Sequence, residues 1–233
     1  MLTYNASVPL TGEFSAANSM SSTMDSLGPN PQPIDTKTTS NNTITKVVCQ
    51  QTPKVHHIWL VTGPAGCGKT TVAEYLSKSL DLPYLEGDTF HPKANIDKMA
   101  NGIPLTDADR WDWLTLLREE SLKQLASGAE GVVLTCSALK RKYRDVIRVA
   151  PYFSHDVSLH FIYLHAPEAV LITRVGLRQG HYMGANMVRS QFEILEPPTA
   201  EETDVISVDV SGSIDEVLEV ALRQVTKKIS EPV

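Results

Sequence analysis

The sequence predicts an α/β protein, a five-stranded parallel sheet flanked by helices in three layers, with a long polar segment ahead of it. Three observations carry that expectation. From about residue 55, apolar runs of strand length alternate with amphipathic stretches, the pattern of repeated βα units. A glycine-rich turn separates the first such run from the first amphipathic stretch. Residues 1–53, by contrast, are rich in Ser, Thr, Asn and Pro and follow neither the helical nor the strand period. The expected organisation is therefore a disordered polar tail over 1–53 and one folded domain over 54–233.

Taken in order, the strand candidates are 57–62, 83–86, 131–136, 159–165 and 205–210, each short and mostly apolar, as buried parallel strands are. A helix over 70–80 places Val72, Ala73, Leu76 and Leu80 on one face. The next, over 109–126, follows acidic capping candidates and stops at Gly128. One over 167–178 opens with a proline, favoured in a first turn. The last carries an apolar stripe of Ile214, Val217, Leu218, Ala221, Leu222 and Val225. Between these, the basic run from Lys140 to Arg148 reads mostly as a solvated helix face.

Composition removes several classes of function. Three cysteines without a CxxC spacing support neither a disulfide framework nor a cysteine metal site and fit a reducing, cytoplasmic compartment. With 21 Lys and Arg against 27 Asp and Glu, the net charge of -6 argues against a nucleic-acid partner, so any anion is bound locally. No apolar run reaches the roughly 20 residues of a membrane helix, and no membrane partner is expected.

Gly63-Pro64-Ala65-Gly66-Cys67-Gly68-Lys69-Thr70 matches GxxxxGK[ST] without a mismatch, between a strand and an amphipathic helix. The glycines let consecutive amides point at phosphate oxygens, and the helix that follows adds its positive dipole end. Lys69 is placed for the β- and γ-phosphates, the Thr70 hydroxyl for Mg²⁺, and Thr71 for the α-phosphate. Cys67 reads as a loop residue presenting its backbone. Such a loop names a nucleotide and not a reaction. A guanine-reading NKxD is absent, and the third strand ends in Thr135-Cys136-Ser137 rather than in acids, which favours a compact kinase with a small acceptor.

Asp88 follows the second strand at its carboxyl end, where open α/β sheets bind ligands. It is the candidate general base for an acceptor hydroxyl; a turn cap ahead of His91-Pro92 is the alternative. Arg110, after two acids at a helix start, reads either as a surface ion pair or as a guanidinium fork for a carboxylate. Trp111 and Trp113 cannot share a helix face, so one belongs to the core and the other borders the pocket.

Gly87-Asp88-x-x-His91-Pro92-x-x-Asn95-x-x-Lys98-Met99, then Gly102-x-Pro104-Leu105-x-Asp107-x-Asp109-Arg110-x-x-Trp113-Leu114, resembles the gluconokinase family of small P-loop kinases. So do Cys136-Ser137-Ala138-Leu139-Lys140-x-x-Tyr143-Arg144, Gly180-His181-Tyr182-Met183 and Ser190-Gln191-Phe192-Glu193-x-Leu195-Glu196-x-Pro198. The resemblance implies phosphorylation of D-gluconate to 6-phosphogluconate with ATP and Mg²⁺, feeding the pentose phosphate pathway, in a homodimer with a mobile lid. It also implies site roles. Arg141, of the basic run, joins Arg110 on the carboxylate, and His181 and Gln191 read hydroxyls. Arg174 stands on the adenine side, and Arg178 stabilises charge on the transferring group. Lys69, Asp88 and Arg178 form the expected catalytic set. Glycines 180 and 184 suit a hinged lid. A kinase for another small polyhydroxy acid such as shikimate, or a non-catalytic nucleotide-binding module, are the alternatives.

Overall fold

Strand β1 (His56–Thr62) lies at the centre of the sheet, and its side chains alternate between two cores. Trp59 and Val61 face one, Ile58 and Leu60 the other, all four fully buried. The computed structural model describes residues 55–177 and 185–231, all within the unit Gln50–Val233. The expected tail over 1–53 lies outside the described residues.

The sheet contains β1, β2 (Tyr84–Leu85), β3 (Gly131–Thr135), β4 (Val157–His165) and β5 (Val205–Asp209), in the order β2-β3-β1-β4-β5. Every pairing is parallel. The sheet is thus the predicted one, with β2 shorter and β4 longer than their candidates. Helix α1 (Lys69–Leu80) packs against one face with Val72, Ala73 and Leu76, where Val217, Ala221 and Val225 of the C-terminal helix (Ile214–Ile229) join it. On the other face lie α3 (Trp111–Ala126) and α4 (Arg141–Arg148), contributing Trp113, Leu114, Leu117, Tyr143 and Ile147. Two sheet faces, each covered by helices, make the three layers.

Helix α2 (Lys93–Ala100) has no counterpart among the predicted elements. Its eight residues bury only Asn95 and Met99, too few to show a period. Tertiary hooks hold it instead. Asn95 Nδ2 donates to Asp109 O at 2.6 Å, and Lys98 pairs with the Asp109 carboxylate at 2.6 Å. Asp109 also accepts from the backbone and hydroxyl of Thr106, so 107–110 forms a turn and α3 starts at Trp111, two residues later than predicted. After the short α5 (Ala150–Phe153) and β4, helix α6 (Glu168–Gly176) begins after Pro167, which serves as its N-cap. Beyond it, α7 (Ala185–Ile194) precedes β5, and the C-terminal helix, here α8, follows with a Ser213–Glu216 capping box. The expected lid glycines, 180 and 184, lie outside the described residues.

The basic run is not a solvated face throughout. Arg144 is 2% exposed and gripped by Glu202 through Nε and Nη2, both at 2.7 Å. Arg148 pairs with Glu202 at 2.6 Å and with Asp204 at 2.7 Å. A helix-face pattern carries no sign of this, because the carboxylates come from a segment more than 50 residues away.

Chain direction creates the site. From β1 the chain crosses to β2 on one side of the sheet, and from β3 it crosses to β4 on the other. The carboxyl ends of β1 and β3 therefore flank a topological switch point, where α/β sheets open a ligand crevice.

Candidate active site

The loop 63–68 leaves β1 and re-enters as α1 at that crevice. Gly63 has φ 139°, and a Cβ there would stand 2.4 Å from the Leu164 carbonyl oxygen, so no larger residue closes this turn. Thr62 Oγ1 donates to Ser137 O at 2.6 Å, tying the loop to the end of β3. Helix α1 starts from Gly68 at φ 91°, with no side-chain cap and no acid in its first turn. Its leading amides are thus available to an anion. Helix α8, carrying a full capping box, shows the alternative.

Lys69 curls back over the loop, donating to Gly63 O at 3.0 Å and Pro64 O at 3.1 Å. Thr70 Oγ1 donates to Glu86 Oε2 at 3.0 Å, and Thr71 follows in the exposed first turn. Cys67 turns its side chain into the core and is 2% exposed, so the loop offers its backbone there. Cys136, at the end of β3, is buried, and burial pushes its thiol up to about 12.

Strand β2 delivers two carboxylates, two residues apart. Glu86 accepts from Tyr84, from Thr135 Oγ1 at 2.5 Å and from Thr70. Burial alone would raise its pKa; these hydroxyl donors outweigh burial and hold it below the usual range. Asp88, in a 3₁₀ turn (Gly87–Phe90), opens into the cavity. Enclosure by protein raises its pKa, Lys69 opposes the rise, and Glu86 adds to it. A Cβ on Gly87 would lie 1.9 Å from Thr135 O, so the turn carrying Asp88 rests directly on β3. Trp113 Nε1 donates to Gly87 O at 2.8 Å and fixes it from the other side. His91 stacks on Trp113 at 3.9 Å, and burial lowers its pKa to about 4.

A cavity of about 200 Å³ collects these groups: Lys69, Asp88, His91, Arg110, Trp113, Ser137 and Gln191 all line it. Gln191, on α7, accepts from Ala65 N at 2.7 Å and so joins that helix to the phosphate loop. Trp113 is at once core and cavity wall, while Trp111 stands 38% exposed. Arg174, on α6, is outside this cavity and donates to Gly212 O at 3.5 Å, beside the loop after β5.

Arg141 is not brought to the cavity. At the start of α4 it pairs with Glu201 at 3.0 Å, and its backbone N–H donates to Glu196 at 2.7 Å, so the carboxylate it holds is the chain's own. Arg178 and His181 lie outside the described residues. Sequence reasoning passed over Glu86, Ser137 and Tyr143. A second acid immediately after the apolar run, two positions ahead of Asp88, was the signal for the first.

The profile of the AAA domain family matches residues 58–196. A probable gluconokinase of Schizosaccharomyces pombe is 47% identical over 176 residues, 75% of this chain and 91% of its own length. The thermoresistant gluconokinase of Escherichia coli is 37% identical, over 74% of this chain and 95% of that protein. The crystal structure of a gluconokinase from Sinorhizobium meliloti superposes with a TM-score of 0.65 at 39% identity, covering 76% of this chain and 94% of that one.

Proposed function

We propose, from the premise that this chain belongs to the gluconokinase family, that it transfers the terminal phosphoryl group of ATP to a hydroxyl of D-gluconate. One observation carries the reading. A phosphate loop, a carboxylate with a raised pKa and a guanidinium converge on one cavity at the switch point of the sheet.

The loop amides and Lys69 bind the triphosphate and neutralise its β- and γ-oxygens. Asp88 accepts the proton of the attacking hydroxyl as the new O–P bond forms and the bond to the β,γ-bridging oxygen breaks, giving ADP and 6-phosphogluconate. Positioned base catalysis of this kind contributes about 10²- to 10⁴-fold. Arg110 engages the gluconate carboxylate, and Gln191 lies within reach of the hydroxyl chain. Arg174 belongs to the adenine side; Arg178 and His181 complete the reading as charge stabiliser and hydroxyl contact.

The residues present suit Mg²⁺, which prefers hard oxygen donors and retains several waters. Thr70 Oγ1 and the Glu86 carboxylate stand 3.0 Å apart beside the loop, and no cluster of three or more His, Cys, Asp or Glu suited to a metal exists among the described residues. Thr70 would ligate the ion and Glu86 would hold its water shell. Bound there, Mg²⁺ supplies charge neutralisation on the phosphates. Among the described residues no helix is long and apolar enough to cross a membrane. A cytoplasmic homodimer completes the proposal.

The test is ADP release by the full chain with Mg²⁺ and ATP across a panel of sugar acids, the product identified by phosphorus NMR. Turnover dependent on gluconate is expected, with kcat/KM highest for it. ATP hydrolysis indifferent to gluconate, or a preference for shikimate, refutes the reading.

A further inference from the structure

Every side-chain hydrogen bond made by Arg110 among the described residues runs through one nitrogen. Its Nη1 donates to Leu105 O at 2.5 Å, to Thr106 O at 3.1 Å and to the Tyr143 hydroxyl at 3.3 Å. The opposite edge, Nε and Nη2, is the edge a carboxylate engages with two parallel bonds. What fixes the first edge therefore decides how the second is aimed.

The two carbonyls come from the loop that carries Arg110 itself and move with it. Tyr143 comes from α4 and is independent of that loop. It is 1% exposed, and its ring lies under the guanidinium, 5.3 Å from Cζ. A phenol has one proton. Here the hydroxyl donates to Asp107 Oδ1, so towards Arg110 it acts only as an acceptor. Asp107 is held in turn by Lys140, at 2.9 Å, and by Lys142. The result is a directed chain, Arg110 to Tyr143 to Asp107, anchored by Lys140 at the N-cap of α4 and Lys142 in its first turn. Burial and the neighbouring carboxylate push the phenol up to about 12, so it keeps that proton at neutral pH.

We propose that Tyr143, oriented by Asp107, is the positioning residue that aims the free edge of Arg110 at the acceptor's carboxylate. The role rests on the assignment of Arg110 to that carboxylate. Lys140 and Lys142, also cationic and nearby, serve this chain rather than the ligand, since both are committed to Asp107.

Steady-state kinetics on the full chain separate the two claims. Tyr143→Phe keeps the ring and its packing and removes the hydroxyl. It should raise KM for gluconate about tenfold, the worth of one hydrogen bond to a charged group, and leave KM for ATP unchanged. Arg110→Ala should raise KM for gluconate about a hundredfold. If Arg110→Ala raises KM for gluconate and Tyr143→Phe does not, the positioning role is overturned and the carboxylate assignment stands. If neither variant moves it, both fall. Equal changes in KM for gluconate and for ATP in Tyr143→Phe mark a structural residue and overturn the role. Should Tyr143→Phe fail to fold, Asp107→Ala, at a half-buried position, carries the test: a rise of a few-fold in KM for gluconate alone is expected, and an unchanged KM overturns the proposal.

Discussion

Replacing Glu202 with Gln should cost about 3 kcal/mol of folding stability while leaving the shape of the side chain intact. Two independent routes lead to that figure. Both Glu202 and Arg144 have side chains 2% exposed, and loss of one member of such a buried pair typically costs about 3–5 kcal/mol because the partner's charge is stranded. Burial by itself would raise the Glu202 carboxyl, but bonds from Arg144 and Arg148 outweigh it and hold the group at about 2. Against an ordinary value near 4.3, that corresponds to about 3 kcal/mol at neutral pH. The sign follows from the lowered pKa. The contribution is complete above about pH 5 and is lost as pH falls through about 2, so the gap between wild type and variant closes in acid. For a folded domain of this size the loss lowers Tm by about 6–12 °C. Urea and thermal unfolding followed by circular dichroism measure it, with Arg144→Met and the double variant completing a cycle. A loss below about 1 kcal/mol, or additive single effects, would refute the claim that this pair clamps the segment entering β5 to α4.

Asp88→Asn should lower kcat by at least about 10²-fold with nucleotide affinity preserved; near-normal turnover removes its role as base. In the wild type, kcat/KM should fall with decreasing pH through a carboxyl titration above the ordinary Asp range, since desolvation by the surrounding protein raises this group and only the ionised form accepts a proton. The variant should lack that limb in its pH–rate profile. Gly87→Ala would drive a Cβ to 1.9 Å from Thr135 O, forcing the Asp88 turn off β3. Both Tm and kcat should drop, and a variant with wild-type values for both would show that the turn has slack.

The five strands, helices α1, α3, α6 and α8, the phosphate loop and a carboxylate just past β2 are legible in the chain. Those signals are local: apolar runs, a glycine spacing and a polar residue at a strand end each occupy a few consecutive positions. Folding, in contrast, sets which cations are neutralised within the chain itself. Arg141, Arg144, Arg148, Lys140 and Lys142 look alike in the chain, yet each is engaged by carboxylates contributed by other segments, whereas Arg110 keeps one edge open at the cavity. Helix α2 was invisible for the same reason, since its hooks reach Asp109 across a loop rather than along a face. A charge declares its identity in sequence, but its partner is set by what folding brings within about 3 Å, and residues more than 50 positions apart leave no periodic trace of that meeting.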